Sequence, residues 1–370
     1  MKASRMRILH LSNHCHAGNG NVHVAVDLAC HQARDGHQVA FASGGGSYVE
    51  LLLNSGVENW QLPHGRVGIW NNTVALARAL ALCRKFKPDV IHAHMMAGAA
   101  MGFVCSRITG APLVTTVHNS FDSHSALMRL GDRIVAVSAA ERDALVARGF
   151  PRNKIEVVLN GTQGSLRPWA LALDEPMKLQ RPCVLTAAGL HGRKGVDVLV
   201  RAFSAAAASH PEWHFYVSGD GTERPTLERL AEDGGIGDRI HFLGFRNQLQ
   251  SLLEQADVFS LASHADPCSL VLCEARNAGC AIVATAVGGS PEVLNFGGAG
   301  RLVPAGDVPA LAEALAGLMQ DPAALLQARA DSKRDSEFFS VARMTADYDQ
   351  VYIRATRGKL YSGSLASASS

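Results

Sequence analysis

The sequence predicts an α/β protein built from two consecutive doubly wound domains that face each other across a cleft. Short apolar runs alternate with helical patterns, the alternation stops and restarts near the middle of the chain, and glycine-rich or polar motifs follow several of the runs. The length of 370 residues also suits two domains, since a domain takes roughly 150 residues. Runs that are apolar on both faces are typical of parallel strands covered by helices.

The first domain is predicted to span residues 1–165. A glycine loop, AGNGN, follows its first apolar run, and the segment VHVAVDLACHQARDG then has helical periodicity that ends at Gly36. Its predicted strands are MRILHLS, HQVAFAS, PDVIHAH, PLVTTVH and RIVAVS.

The second domain is predicted to span residues 166–340, because two prolines and a loss of periodicity mark a join in TQGSLRPWALALDEPMKLQ. The segment VDVLVRAFSAAAAS reads as its first helix. The amphipathic segment 341–357 could pack on either domain, and small polar residues predict a flexible tail over residues 358–370. The predicted strands of the second domain are CVLTAAGL, WHFYVSGDG, IHFLG, VFSLAS and AIVATAV.

The charge of the chain is small overall but unevenly divided. A net charge of +2 argues against a nucleic-acid partner. Residues 1–165 hold 16 Lys+Arg and 10 Asp+Glu, whereas the remainder holds 19 and 23. The difference reflects either chance variation between two surfaces or an N-terminal half that meets an anionic partner, such as the inner leaflet of a membrane.

The N-terminus and the cysteines are typical of a cytosolic protein. The segment MKASRMRILHLSN lacks the apolar core of a signal peptide, and the apolar stretch at residues 95–105 is shorter than the ~20 residues that span a bilayer. None of the eight cysteines forms a Cys-x-x-Cys pair, which suits a reducing compartment. We expect a cytoplasmic protein, either unattached or peripheral to the inner face of the cytoplasmic membrane.

A basic pair follows the first strand of the second domain. The loop AGLHGRKG places Arg193 and Lys194 between two glycines. Two adjacent cations at the end of a strand can hold a diphosphate, the arginine through a forked contact and the lysine as a point charge. The alternative is an ordinary solvated basic loop.

Two carboxylates flank the start of a predicted helix in DPCSLVLCE. Ser269 is placed to cap this helix, and the amides of Leu270 and Val271 in its first turn form an anion site with the helix dipole. Glu274, one turn further, can accept both hydroxyls of a ribose, unless it is simply an acid on the helix surface. Asp266, in the preceding loop, is placed to bind hydroxyls of a second sugar.

Glycines mark two further points of close approach to a ligand. Gly288 and Gly289 follow the next strand, and Gly18 and Gly20 lie in the first-domain glycine loop, where backbone amides can approach a phosphate or a sugar. His118 lies just past a strand end, where a neutral imidazole can hydrogen-bond a hydroxyl or a backbone group near the reacting carbon.

The histidine pairs and glycine motifs suggest two other chemistries, which we disfavour. His92 with His94, and His14 with His16, could be metal ligands, but neither spacing supplies a third ligand, so no metal is expected. The stretches GNGNVH and GDGTER suggest a nicotinamide oxidoreductase, yet neither completes G-x-G-x-x-G.

From Arg7 to about Arg354 the chain resembles the retaining glycosyltransferases of family four, which have the GT-B fold. The most specific likeness is DPCSLVLCEARNAGCAIV, which stands where the family has an E-x7-E motif. The resemblance implies that Glu274 binds the ribose of the nucleotide and Asp266 the hydroxyls of the donor sugar. It also implies that the amides of Leu270 and Val271 bind the diphosphate.

Further segments extend the resemblance. Arg193 and Lys194 match the family's basic pair, which stabilises the leaving diphosphate. The loop at Gly18 and Gly20 resembles the glycine loop near the leaving phosphate and the acceptor, and His118 matches the T-x-H position near the donor's sugar ring. The final helix resembles the family's crossover back to the N-terminal domain.

Three departures from the family pattern bear on the donor. Asp266 replaces a glutamate and is one methylene shorter. Ser269 replaces a glycine that allows close backbone approach, and Gln163 replaces the aspartate of N-G-x-D. These replacements keep the phosphate and ribose contacts but suggest an altered donor sugar or pose.

The implied activity is retaining transfer of a sugar from a nucleotide-diphosphate donor, with a UDP-sugar as first expectation and GDP-mannose as second. The implied acceptor is a hydroxyl of a saccharide or lipid-linked saccharide, in cell-surface polysaccharide or lipopolysaccharide synthesis. No cofactor beyond the nucleotide-sugar co-substrate and no metal is expected. The alternatives are a GT-B-fold nucleotide-sugar 2-epimerase and a non-catalytic scaffold that binds sugar nucleotides.

Overall fold

The protein is described by a computed structural model that covers residues 5–63, 69–121, 123–171 and 175–367. The last three residues of the predicted tail therefore lie outside the described residues. The chain divides into two compact units. Unit 1 comprises Met1–Leu171 and Ser340–Ser370, and unit 2 comprises Ala172–Phe339.

Each unit contains one parallel sheet. The strands are β1 Arg7–Leu11, β2 Gln38–Ser43, β3 Glu58–Gln61, β4 Val90–Ala93, β5 Leu113–Val117, β6 Arg133–Ala136 and β7 Ile155–Val157 in unit 1, and β8 Cys183–Ala187, β9 His214–Ser218, β10 Ile240–Gly244, β11 Val258–Leu261, β12 Ala281–Thr285 and β13 Arg301–Val303 in unit 2. Their orders are β3-β2-β1-β4-β5-β6-β7 and β10-β9-β8-β11-β12-β13. Both are the doubly wound Rossmann order, in which β1 and β8 are the first strands. The prediction of two doubly wound α/β units is confirmed.

Helices connect the strands in both units. They are α1 Gly20–Arg34, α2 Val49–Asn54, α3 Ile69–Phe86, α4 Met96–Thr109, α5 Ala139–Ala147, α6 Val196–Ala206, α7 Arg224–Asp233, α8 Leu249–Leu253, α9 Leu270–Ala278, α10 Ser290–Val293, α11 Val308–Met319, α12 Pro322–Lys333 and α13 Val341–Ser367. The predicted end of the first helix is confirmed, because α1 stops at Arg34 and Gly36 follows with φ +95°. Such a positive φ favours glycine and cannot continue a helix.

The central strands are buried on both faces, as their apolar composition predicts. The patterns of β4, β5, β11 and β12 show every residue buried. All eight cysteines are buried and none forms a disulfide, so they act as small apolar side chains.

Helix α13 belongs to unit 1, although it follows unit 2 in the chain. It packs against α1, β4 and β5. Its apolar stripe is fully buried, because these residues recur at helical spacing on one face, and comprises Val341, Met344, Tyr348, Val351 and Tyr352. The helix continues to Ser367, ten residues past the predicted 357.

Candidate functional site

The predicted donor residues of unit 2 lie at the edge of the sheet where ligands bind in folds of this type. The strand order reverses between β8 and β11, and such a reversal opens a crevice at the carboxyl ends of two strands. The loop after β8 holds Arg193 and Lys194, the loop after β11 holds Asp266, and the loop after β12 holds Gly288 and Gly289. Residues from three separate segments therefore meet at one edge.

The basic loop forms one tight turn directly before α6. Gly195 closes the turn with φ +59°, and a Cβ there would lie 2.1 Å from the carbonyl oxygen of Ala262. The carbonyl oxygen of Arg193 accepts a hydrogen bond from the amide of His264 at 2.8 Å, and Arg193 Nη1 donates to the carbonyl oxygen of Ala265 at 2.8 Å. The loops after β8 and β11 are thus joined by one hydrogen bond between backbone groups and one from the Arg193 guanidinium to a backbone carbonyl.

Lys194 and Asp266 form an ion pair at the centre of this edge. Lys194 Nζ lies 2.6 Å from Asp266 Oδ2, and the two side chains are 17% and 7% exposed. Because an ammonium has three N–H donors, Lys194 can contact a phosphate while it keeps one hydrogen bond to Asp266. The carboxylate therefore positions the lysine, a role that the sequence did not suggest.

Asp266 is also held through its backbone. The amide of Gly289 donates to its carbonyl oxygen at 3.3 Å. Gly288 has φ +50°, and a Cβ at this position would lie 1.8 Å from the same oxygen. The glycine pair thus lets the loop after β12 approach Asp266 closely, whereas the sequence suggested that it lets a ligand approach.

Helix α9 begins where the sequence placed it, but its cap differs. Ser269 has the extended backbone of an N-cap residue, yet among the described residues its side chain makes no capping hydrogen bond. Ser269 is buried. Among the described residues its hydroxyl accepts no hydrogen bond from the amides in the first turn of α9, which include those of Leu270 and Val271. Glu274 lies one turn further on the same face as Leu270, since residues four apart share a helix face, and it is half-buried.

The glycine loop of unit 1 is partly occupied by its own side chains. Gly18 has φ +87°, and its amide donates to Nε2 of His23 at 3.2 Å. Burial and then the charge of Arg167 hold the pKa of His23 well below its ordinary value, so this imidazole is a neutral acceptor. Gly20 opens α1. The amide of Gly18 is therefore engaged within the chain, contrary to the expectation that it points to a ligand.

Four histidines gather at the other strand-order reversal, between β1 and β4. His10 lies on β1, His92 on β4, His94 just after β4 and His118 just after β5. The first three lie within 4.8 Å of one another by their ring nitrogens. The sequence argument that no third ligand accompanies the pair at 92 and 94 is therefore wrong, because parallel pairing places His10 directly beside His92.

The ring nitrogens of this cluster contact one another and neighbouring polar side chains. A metal ligand needs a ring nitrogen with an available lone pair. Both nitrogens of His92 are engaged, one by Tyr352 and the other by Thr116, and His10 contacts His94 through one nitrogen and Gln32 through the other. The cluster is a hydrogen-bonded network of neutral rings.

Burial keeps these histidines uncharged. It lowers the pKa of His118 to about 3 and that of His10 to about 4, although the hydrogen bond to Gln32 raises the latter in part. The pKa values of His92 and His94 lie well below the ordinary value, because of burial and then of the neighbouring histidines. The ring nearest the surface is His118, which is half-buried.

Sequence reasoning missed His10, Gln32, Tyr348 and Tyr352 as members of this network. The available signal was weak: His10 is a polar residue among the apolar residues that follow Arg7 in β1, and Gln32 is a polar residue on the buried face of α1. Such positions favour side chains whose hydrogen bonds are satisfied inside the protein.

Two family models match the chain, one in each unit. The model described as Glycosyltransferase Family 4 matches residues 18–163, and the model described as Glycosyl transferases group 1 matches residues 173–321.

Curated relatives match over most of their length. The chain is 30% identical to glycogen synthase of Mycobacterium tuberculosis over 335 residues. This alignment covers 84% of this chain and 79% of that protein. The chain is 28% identical over 318 residues to D-inositol 3-phosphate glycosyltransferase of Mycolicibacterium smegmatis, which covers 75% of this chain and 72% of the relative.

Solved structures share the fold. HepE of Anabaena, in complex with UDP-glucose, superposes with a TM-score of 0.79 at 20% identity, over 95% of this chain and 100% of that one. WaaG, a glycosyltransferase involved in lipopolysaccharide biosynthesis, superposes with a TM-score of 0.73 at 16% identity, over 93% and 99%.

Fold and matches together define a glycosyltransferase of the GT-B class. The chain belongs to glycosyltransferase family four, as its sequence motifs predicted. Within the part of the chain that the structure describes, no helix combines the length and apolar character needed to cross a membrane.

Proposed function

We propose that the protein transfers a sugar, with retention of anomeric configuration, from a nucleotide-diphosphate donor to a hydroxyl of a saccharide or lipid-linked acceptor. The observation that carries the proposal is the Lys194–Asp266 ion pair at the strand-order reversal of unit 2, beside the start of α9. A cation held there and a helix start without a side-chain cap both suit an anionic leaving group. The matches to a glycogen synthase and to a D-inositol 3-phosphate glycosyltransferase support glycosyl transfer as the reaction.

In the proposed reaction the bond between the anomeric carbon and the diphosphate oxygen breaks, and a bond to the acceptor oxygen forms on the same face. The acceptor's proton goes to the departing phosphate oxygen. Arg193, Lys194 and the amides of Leu270 and Val271 stabilise the negative charge that grows on the diphosphate, each by a few kcal/mol in a dry site. Glu274 binds the ribose hydroxyls.

The proposed donor is a UDP-sugar, with GDP-mannose second. HepE binds UDP-glucose, which supports the uridine nucleotide for this chain. In a thermal-shift panel of UDP-, GDP- and ADP-sugars, the true donor should raise the apparent melting temperature most, because a ligand that binds only the folded state stabilises it.

Substitutions in unit 2 test the site. Lys194→Ala should lower kcat by about 100-fold, as the loss of one charge-stabilising donor does elsewhere. Glu274→Ala should weaken nucleotide binding roughly tenfold or more, because a charge-assisted hydrogen bond is lost. The matched controls are Lys178→Ala and Glu313→Ala, which change exposed side chains of the same unit.

The site assignment is wrong if Lys194→Ala and Glu274→Ala both keep near-wild-type turnover. Incubation of the donor without acceptor separates the proposal from its rival: conversion of the donor to its sugar epimer would point to a 2-epimerase. Binding of the donor without any product would point to a scaffold.

We also propose that unit 1 meets the acceptor at an anionic membrane surface in the cytoplasm. Helices α3 and α4 contain no Asp or Glu, and Arg78, Arg84 and Arg107 are exposed on them. Basic side chains near an anionic leaflet contribute about 1 kcal/mol each. WaaG acts in lipopolysaccharide biosynthesis, which supports an acceptor of the cell surface.

Vesicle sedimentation tests the membrane contact. The protein should sediment with vesicles that contain anionic lipid and stay in solution with neutral ones. The charge reversal Arg78→Glu with Arg84→Glu should reduce this binding. The control Arg201→Glu with Arg229→Glu, exposed arginines of unit 2, should not. Equal loss in both pairs would contradict a specific surface on unit 1.

A further inference from the structure

A chain of hydrogen bonds runs from Gln32 on α1 to His118 through two buried histidines. Gln32 Oε1 lies 2.8 Å from His10 Nε2, His10 Nδ1 lies 2.9 Å from His94 Nε2, and His94 Nδ1 lies 3.4 Å from His118 Nε2. Gln32 and His10 are fully buried and His94 is 2% exposed, whereas His118 is half-buried. The chain therefore begins in the core of unit 1 and ends at its surface.

All three histidines in this chain are neutral, since burial lowers the pKa of each well below its ordinary value. A neutral imidazole has one N–H donor and one bare nitrogen that accepts. Each ring in the chain must therefore donate through one nitrogen and accept through the other, and the chain can point in only one of two directions.

The amide oxygen of Gln32 sets the direction. An oxygen can only accept, so His10 Nε2 carries the ring proton and His10 Nδ1 is bare. His94 Nε2 must then donate to His10, which leaves His94 Nδ1 bare. By the same reasoning His118 Nε2 donates to His94, and His118 Nδ1 is the atom without a proton.

The structure places the oxygen of the Gln32 amide against His10. Tyr352 is buried beside Gln32, and this contact lowers the pKa of the tyrosine, while burial raises it by more. The amide nitrogen Nε2 of Gln32 is buried and has no hydrogen-bond partner among the described residues, so the placement of Oε1 against His10 alone sets the direction. Rotation of the amide by half a turn would reverse the whole chain.

A second branch of the network leaves His118 out. The Tyr352 hydroxyl lies 2.7 Å from His92 Nδ1, His92 Nε2 lies 2.8 Å from Thr116 Oγ1, and Thr116 Oγ1 lies 3.1 Å from the hydroxyl of Tyr348. This branch is equally buried and supplies a matched control, because its hydrogen bond between His92 and Thr116 is not a link of the chain to His118.

We propose that Gln32, His10 and His94 are positioning residues that fix His118 as its Nε2–H tautomer, so that its Nδ1 accepts a hydrogen bond from a hydroxyl group of the bound sugar. The ligand part of this inference rests on the proposed function, whereas the tautomer part does not. An acceptor at this point selects ligand groups that can donate, such as sugar hydroxyls, and rejects bare carbonyl or phosphate oxygens.

Nitrogen NMR of histidine-labelled protein tests the tautomer directly, since the two ring nitrogens of a neutral imidazole differ strongly in chemical shift when one carries a proton. At neutral pH His10, His94 and His118 should each show a protonated Nε2 and a bare Nδ1. A protonated Nδ1 at His118 would overturn the proposal, whatever the enzyme transfers. So would a stoichiometric zinc ion bound by the cluster in the purified protein.

The substitution Gln32→Leu removes the acceptor that sets the direction. We expect signals of both His118 tautomers and a kcat about threefold to tenfold lower, which is the effect of weakening one hydrogen bond, with little change in KM for the nucleotide-sugar. Gln32→Glu keeps an oxygen acceptor at the same place and should show the single His118 tautomer of the wild type. This second variant provides a test even if Gln32→Leu does not fold.

The control Thr116→Val breaks the second branch. It should cost stability but leave His118 with a protonated Nε2 and leave kcat near wild type. If Gln32→Leu leaves the His118 tautomer unchanged, or if Thr116→Val alters it as much, the chain does not set the tautomer. If the protein shows the expected tautomers but has no transferase activity, the proposed function is wrong and the tautomer proposal stands.

Discussion

Asp266 is the residue on which three loops of unit 2 converge. Its carboxylate holds Lys194, and its carbonyl oxygen accepts from Gly289. Asp266 therefore pairs with Lys194 through its side chain and binds the loop after β12 through its backbone. The shorter side chain, compared with the glutamate typical of the family, brings its own backbone close to the lysine that it pairs with.

Gly288→Ala should be strongly destabilising, because the new Cβ would lie 1.8 Å from the carbonyl oxygen of Asp266 at a φ of +50°. Left-handed backbone alone costs a non-glycine residue about 1–3 kcal/mol. Gly235→Ala is the matched control, since Gly235 has φ +67° but nothing within 4 Å of an added Cβ. Urea denaturation should show a larger loss for Gly288→Ala, and equal losses would contradict the close approach.

At the scale of elements, α9 is fixed by one arginine near its end. The guanidinium of Arg276 donates to the carbonyl oxygens of Ser332 at 2.8 Å, Val293 at 2.6 Å and Arg334. It also lies 5.0 Å from the ring centroid of Phe339. The arginine therefore joins α9 to the ends of α10 and α12, which keeps the start of α9 in a fixed place relative to the sheet.

Arg276→Met should destabilise unit 2 by about 3 kcal/mol, because buried carbonyl oxygens lose their donors while the apolar stem is kept. Arg229→Met, a change of an exposed arginine on α7, should have little effect. Chemical denaturation of both variants measures the change in the free energy of unfolding and tests this prediction. A loss below 1 kcal/mol for Arg276→Met, as expected of surface changes, would mean that water replaces the guanidinium.

The strands that the sequence failed to predict lie at the edges of the sheets. They are β3, β7 and β13, of four, three and three residues. An edge strand is covered less, so its residues need not be apolar: β3, Glu58–Gln61, has no fully buried residue. Apolar runs predict strands only where both faces are covered.

At the scale of the whole molecule, the buried histidines make stability depend on pH. The folded-state pKa of His10 is about 4, and its unfolded value is about 6.5. Below pH 6.5 the unfolded chain therefore binds more protons than the folded one, and stability falls as the pH falls. The contribution of His10 alone is lost between pH 6.5 and pH 4 and amounts to about 3 kcal/mol at most.

The apparent melting temperature should therefore fall between pH 6.5 and pH 5, before most paired carboxylates become protonated. His10→Gln should be less stable at pH 7 but should lose less on acidification. His16→Gln, a change of an exposed histidine, should keep the wild-type slope. A wild-type melting temperature that stays constant over this pH range would show that the cluster is not buried and neutral.

The sequence by itself determined the central strands, the alternation with helices and the family, because these depend on local periodicity and on motifs a few residues long. It also placed Arg193, Lys194, Asp266 and Glu274 after strands, and in a parallel sheet all such positions share one edge.

Only the tertiary structure decided which of these side chains touch. Lys194 meets Asp266 across 72 positions of the chain, and His92 meets Tyr352 across 260. Such contacts depend on the order of strands and on the return of α13 to unit 1, and no local pattern encodes either. The sequence therefore predicted the edge of the sheet that carries the site, while folding fixed the ion pair and the direction of the histidine chain.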